Sequence, residues 1–151
     1  MSDSRATPDP RRKALELLTR REHSRRELTR KLAERGFDAE IAQRAIEDMA
    51  ERGWQDDARF AASLARGRMN AGHGPLRIRA ELRTHGIGEE GIEAAIAACE
   101  VDWNIQAADL LRRRFGAGGE LSRQEIARRG AFLQRRGFDL DAVRYALALS
   151  D

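Results

Sequence analysis

The sequence predicts an all-α protein built of three tandem three-helix units that form an elongated, curved array. Three observations carry that expectation. A glycine-centred motif recurs at a nearly constant period. Leu, Ala, Arg and Glu dominate while aromatics are 5% of the 151 residues, and straight-chain side chains lose little rotamer freedom in a helix. Charged residues reach 35%, so each apolar stripe is narrow and much of every helix faces water.

The repeat is read from Arg35-Gly36-Phe37-Asp38, His85-Gly86-Ile87-Gly88 and Arg136-Gly137-Phe138-Asp139, whose glycines lie 50 and then 51 residues apart. Four residues before each glycine stands a leucine: Leu32, Leu82 and Leu133. Nine and ten residues after it come Ala45-Ile46, Ala95-Ile96 and Ala146-Leu147. Five aligned positions at one period mark a repeated structural unit.

Each unit reads as three helices. The glycine ends the middle helix, where a positive φ suits a residue without Cβ. Middle helices open at Ser24-Arg25-Arg26-Glu27 and Ser122-Arg123-Gln124-Glu125, both capping boxes, and at Gly74-Pro75, with proline in the first helical position. Ser24 and Gly74 precede their glycines by twelve residues and Ser122 by fifteen, so the third middle helix is about one turn longer. First helices show apolar faces at Ala14, Leu15, Leu17 and Leu18, at Phe60, Ala61, Leu64 and Ala65, and at Ala107, Ala108, Leu110 and Leu111. Asp56 and Asp102 suit the caps of the second and third. Trp54 and Trp103, in step with the repeat, are expected to pack at the entry of their units. Gly116-Ala117-Gly118-Gly119 reads as a flexible joint.

The predicted organisation is a disordered tail over 1–10, a first unit over 11–53, a second over 54–100 and a third over 101–151. Units of this size have small cores, so neighbours are expected to stabilise one another.

The net charge is +3, and Lys13 and Lys31 are the only lysines. Arginine binds phosphates and carboxylates with a planar fork of donors, which suits a nucleic-acid or acidic partner. The bland reading is arginine-rich codon usage. Position argues against it: net charge runs +5 over 1–35, −4 over 36–65, +4 over 66–86, −6 over 87–110 and +4 over 111–151. Codon usage enriches arginine without sorting it by helix. The basic members are Arg25, Arg26, Arg30 and Lys31, then Arg77, Arg79 and Arg83, then Arg123, Arg128, Arg129, Arg135 and Arg136. Either they face a phosphate-bearing or protein partner, or they pair with the acidic helices that follow as solvated salt bridges. A surface meeting about six phosphates loses roughly 10³ in affinity between 50 and 200 mM salt. Such contacts carry no base code, and few Asn or Gln residues lie on the middle helices to read one.

No convergent catalytic constellation is legible. His23, His73 and His85 have no His or Cys partner at metal-ligand spacing. Cys99, the single cysteine, reads as a small core residue of a chain from a reducing compartment. The glycine run at 116–119 lacks the Lys-Ser/Thr of a phosphate loop. The expectation is a non-enzymatic cytoplasmic protein without cofactor or metal. No apolar run is long enough for a membrane span.

Several segments resemble the RecX family in order along residues 11–149. Arg21-Glu22-His23-Ser24 with Glu27-Leu28 and Lys31-Leu32 resembles its opening signature, and Asp56-Asp57-Ala58-Arg59-Phe60-Ala61 its second. Gly72-His73-Gly74-Pro75 with Arg77-Ile78 resembles the third, and Phe132-Leu133 with Arg136-Gly137-Phe138 the closing one. The resemblance implies tandem three-helix units and a negative modulator of the RecA recombinase filament, acting on strand exchange, ATP hydrolysis and coprotease activity. It adds the charged motif members Asp57 and Arg59 to the candidate contacts. Expected partners are the recombinase filament and, weakly and without sequence preference, single- and double-stranded DNA, the chain itself being a monomer. The alternatives are a free-standing, sequence-indifferent DNA-binding protein and an adaptor that binds protein alone.

Overall fold

The computed structural model describes residues 8–149; of the tail predicted disordered over 1–10, residues 1–7 lie outside the described residues, while Asp9 and Pro10 cap and begin the first helix. Those residues hold the helices α1 (Pro10–Arg20), α2 (Arg25–Glu34), α3 (Ala39–Glu51), α4 (Asp57–Asn70), α5 (Pro75–Thr84), α6 (Glu89–Ala97), α7 (Trp103–Phe115), α8 (Arg123–Arg135) and α9 (Leu140–Ala148), and no strand. Three helices fall to each repeat.

Except at α6, which follows Gly88 without a side-chain cap, each helix starts where a side-chain oxygen or a proline meets the first turn. Asp9 caps α1 ahead of Pro10, Ser24 accepts from the Glu27 N–H, and Ser122 accepts from that of Glu125. Asp56 accepts from the Arg59 N–H at 3.1 Å, and Asp102 caps α7. Asp38 and Asp139, two residues past their turn glycines, cap α3 and α9. These oxygens satisfy amides that the helix itself leaves without acceptors.

The repeating glycine closes every middle helix in one way. Gly36, Gly86 and Gly137 have φ of +86°, +76° and +97°. The following apolar residue donates its N–H to the leucine carbonyl five residues back: Phe37 to Leu32 and Ile87 to Leu82 at 3.2 Å, Phe138 to Leu133 at 3.1 Å. Orphan carbonyls are thereby satisfied as the chain reverses. All three leucines are fully buried. At 13 residues α8 is longer than α2 and α5 with 10 each.

The chain packs as two compact units, one up to Ala61 and the other from Ala62. In the first, α1 and α2 lie on α3 around Ala14, Leu17, Leu28, Leu32, Ala42, Ile46 and Met49. In the second, α5 packs on α6 and buries Ile78, Leu82, Ile92 and Ala95. There too α7 and α8 lie on α9, with Ala107, Leu111, Phe132, Leu133, Phe138 and Val143 at the centre. Trp103 packs against this last core. Trp54 departs from expectation: it is 43% exposed, with the Arg52 guanidinium 5.2 Å from its ring. The loop from Gly116 to Gly119 is exposed, and Gly116, Gly118 and Gly119 all have positive φ.

Candidate nucleic-acid and partner interface

In the first unit, the sequence motifs around residues 21–31 and 55–59 form one polar network. The backbone N–H of Arg25, at the start of α2, donates to Asp57 Oδ1 at 2.9 Å, and the same oxygen accepts from Gln55 Nε2 at 2.9 Å. Gln55 also donates to the His23 carbonyl at 3.2 Å. Asp57 therefore caps a helix 32 residues upstream of itself. Arg59 pairs with Glu22 at 2.6 Å and donates to the carbonyls of Gly53 and Trp54. Its bond to Glu22 raises its pKa above the ordinary arginine value.

His23 is buried, with Nδ1 3.0 Å from the Arg21 carbonyl and Nε2 3.0 Å from Lys31 Nζ. Nδ1 donates and Nε2 accepts, which requires the neutral ring. Burial, followed by the charges of Arg21 and Lys31, holds its pKa below 6.5. Glu27 sits beside it; burial opposes its ionisation, but the Arg21 hydrogen bond and the charges of Arg21, His23 and Lys31 outweigh that and lower its pKa. Arg30 lies 3.7 Å from Glu34. Arg26 is exposed on the outer face of α2.

In the second unit, α5 pairs its arginines with α6. Arg79 meets Glu93 at 3.1 Å and Arg83 meets Glu89 at 2.8 Å. For these two the solvated salt-bridge alternative describes the geometry. Arg77 instead reaches the Arg135 carbonyl at 3.5 Å. His73, half-buried, is held below its ordinary pKa by burial and then by Arg77, Arg136 and Arg68. Helix α8 is different. Arg123 and Arg135 are exposed and have no ion pair among the described residues. Arg128 leans over the Phe115 ring at 5.3 Å and lies 3.4 Å from Glu125. Arg129 is only 8% exposed, 4.9 Å from the same ring. Arg136 stacks over Phe132 at 5.2 Å and donates to the Ala71 carbonyl at 3.3 Å.

Arg113 and Arg114, which the sequence reading passed over, join Arg136 around one cleft of about 230 Å³. The run Arg112-Arg113-Arg114 was the available signal, but nothing in it reveals that the end of α8 folds across it. Among the described residues no three His, Cys, Asp or Glu side chains gather as a metal site, and no helix is long and apolar enough to cross a membrane.

These features define a protein of tandem three-helix repeats whose middle helices carry arginine. Family models for the first, second and third three-helix domains of RecX match residues 11–49, 56–96 and 106–147. The chain is 51% identical over 137 residues to the regulatory protein RecX of Xanthomonas campestris pv. campestris (strain B100), covering 91% of this chain and 85% of that one. It is 53% identical to the regulatory protein RecX of Stenotrophomonas maltophilia (strain R551-3), covering 91% and 84%. In fold it matches a crystal structure of regulatory protein RecX at a TM-score of 0.73 and 23% identity, covering 92% of this chain and 70% of that one. The crystal structure of RecX from Lactobacillus salivarius matches at 0.72 and 22% identity, covering 92% of both. The chain belongs to the RecX family, a family of regulatory proteins.

Proposed function

We propose that this protein binds the RecA nucleoprotein filament in the cytoplasm and lowers its recombinase, ATPase and coprotease activities, without catalysing a reaction itself. The observation that carries the reading is the match of all three RecX domains in tandem. The arginines that α8 leaves without carboxylate partners support it, because an unpaired guanidinium is available for phosphate or acidic protein surface. Tandem modules also favour a polymer as target: once one module is seated, the next contact is intramolecular and modest contacts add up. Bridging neighbouring protomers hinders protomer addition or the change coupled to ATP hydrolysis.

The test is ATP hydrolysis by the cognate recombinase on single-stranded DNA with this protein titrated in. Hydrolysis falls as protein is added; a rate unchanged at excess protein overturns the reading. A second reading, free-standing DNA binding without sequence preference, is favoured by the exposed Arg123 and Arg135. Equal inhibition of an unrelated DNA-dependent ATPase selects it.

A further inference from the structure

We infer that the cleft between the end of α4, the last turn of α7 and the end of α8 is a phosphate site for a nucleic-acid strand, a proposal that deepens the DNA contact in the reading above. Its walls carry Arg113, Arg114 and Arg136 with Asn70, and among the described residues no carboxylate lines it. Other arginines of the second unit are neutralised, as in Arg68 with Glu81, Arg79 with Glu93 and Arg83 with Glu89. Here three converge without an acid among the described residues. Asp109, one turn before Arg113 on the same helix, is taken by Arg112 at 3.1 Å. Converging like charges are unfavourable unless an anion joins them.

The cleft is also held in shape. The Arg114 guanidinium lies 5.9 Å from the rings of both Phe115 and Phe132, and that of Arg136 lies 5.2 Å from Phe132. Phe115 and Phe132 meet edge to face at 5.4 Å. Two guanidinium planes are thus pre-set by rings, which reduces the ordering cost of binding. Arg136 spends one donor on the Ala71 carbonyl, and a guanidinium has five. Gly72 lets the floor come close: a Cβ there would stand 3.2 Å from Leu110 Cδ1 and 3.6 Å from Arg136 Nη1. Donors approaching from several sides suit a tetrahedral phosphate better than a planar carboxylate, which presents two oxygens in one plane. A further guanidinium lies near the end of α8, where Arg77 donates to the Arg135 carbonyl at 3.5 Å.

The experiment is fluorescence anisotropy of a labelled single-stranded oligonucleotide with the full chain over a salt series. The double variant Arg113→Gln/Arg114→Gln is compared with Arg12→Gln/Arg44→Gln, which removes the same charge from exposed positions in the first unit. The cleft variant binds about tenfold more weakly, and its salt slope is shallower by about 1.4, at roughly 0.7 per lost phosphate contact; the control stays within about twofold. Equal losses in both variants, or no binding by the unaltered chain, overturn the site. Displacement of the oligonucleotide by poly-glutamate as readily as by unlabelled oligonucleotide also overturns it in favour of an acidic protein segment. Competition by a free nucleoside triphosphate at equal phosphate concentration overturns the strand as the source. Retained recombinase inhibition in a cleft variant that has lost DNA affinity leaves the site standing. Loss of DNA affinity in a chain that never inhibited the recombinase leaves the site standing and removes the regulatory reading alone.

Discussion

Gly74 and Gly137 meet backbone to backbone in the second unit. The Gly74 N–H donates to the Arg136 carbonyl at 2.7 Å, and the Leu76 N–H donates to the Gly137 carbonyl at 3.0 Å. The start of α5 is therefore capped by the turn that ends α8. A Cβ on Gly74 would lie 2.5 Å from the Gly137 oxygen, and one on Gly137 would lie 2.5 Å from Arg77 Cβ. The Gly-His-Gly-Pro motif is thus part of the join between the second repeat and the third.

Alanine at these positions separates contact from conformation. Gly137→Ala combines a positive φ with a clash and costs about 3 kcal/mol. Gly74→Ala has only the clash and costs about 2 kcal/mol. Gly36→Ala, at φ +86° with nothing within 4 Å of its Cβ position, costs about 1 kcal/mol. Urea unfolding should return that order; equal losses at Gly36 and Gly137 would show that the close approach is energetically unimportant.

Asp57→Ala removes the acceptor for the Arg25 amide and for Gln55. The expected loss is about 2 kcal/mol, since the Arg25 amide loses its acceptor and the buried Gln55 amide loses one of its two. Hydrogen exchange provides the specific readout: the Arg25 amide should exchange faster than in Asp56→Ala, which weakens the start of α4.

Acid should loosen the first unit in two stages. Because folding lowers the His23 pKa, the unfolded chain binds protons more readily. Stability is therefore complete above the ordinary value of 6.5 and declines as pH falls below it. Glu27 is also lowered, so its contribution is complete above 4.5 and is lost as pH falls further. Melting temperature followed from pH 7.5 to 4 should fall in both windows, and His23→Gln should flatten the upper one.

Arg129 is the buried exception among the α8 arginines, with Nε lacking a hydrogen-bond partner and Glu125 3.7 Å away. Its stem and its place over Phe115 matter more than its charge. Arg129→Met should stay within about 1 kcal/mol of the parent, while Arg129→Ala should lose about 2 kcal/mol of packing. Both should bind DNA as the parent does. A tenfold loss in Arg129→Met alone would place this guanidinium in the interface.

What the sequence revealed was what chemistry confines to a single turn of chain. Leu32, Gly36 and Phe37 interact within six residues, as do Ser24 and Glu27, so their spacing foretells the bonds. The partnership of Asp57 with Arg25 spans 32 residues, and that of Gly74 with Arg136 spans 62; no local pattern encodes which distant amide a carboxylate or carbonyl meets. The charge bands were visible, yet not that Arg79 and Arg83 face glutamates across a helix pair while Arg113, Arg114 and Arg136 face none among the described residues. Trp54 matched its periodic counterpart Trp103 in sequence and not in burial: Trp103 packs on the core under α7, α8 and α9, while Trp54 stands exposed beside Arg52.

The three left-handed glycines between α7 and α8 mark where this polypeptide tolerates surgery. A side chain replacing Gly116, Gly118 or Gly119 would meet no neighbour within 4 Å but would be strained at their positive φ, so a protease recognition sequence or a fluorophore-bearing segment is best inserted beside these glycines, which stay in place, where it touches no core. Cleavage at that point would leave two fragments held by the contacts of α7 with α8 and α9, turning the third repeat into a split reporter whose reassembly can be timed.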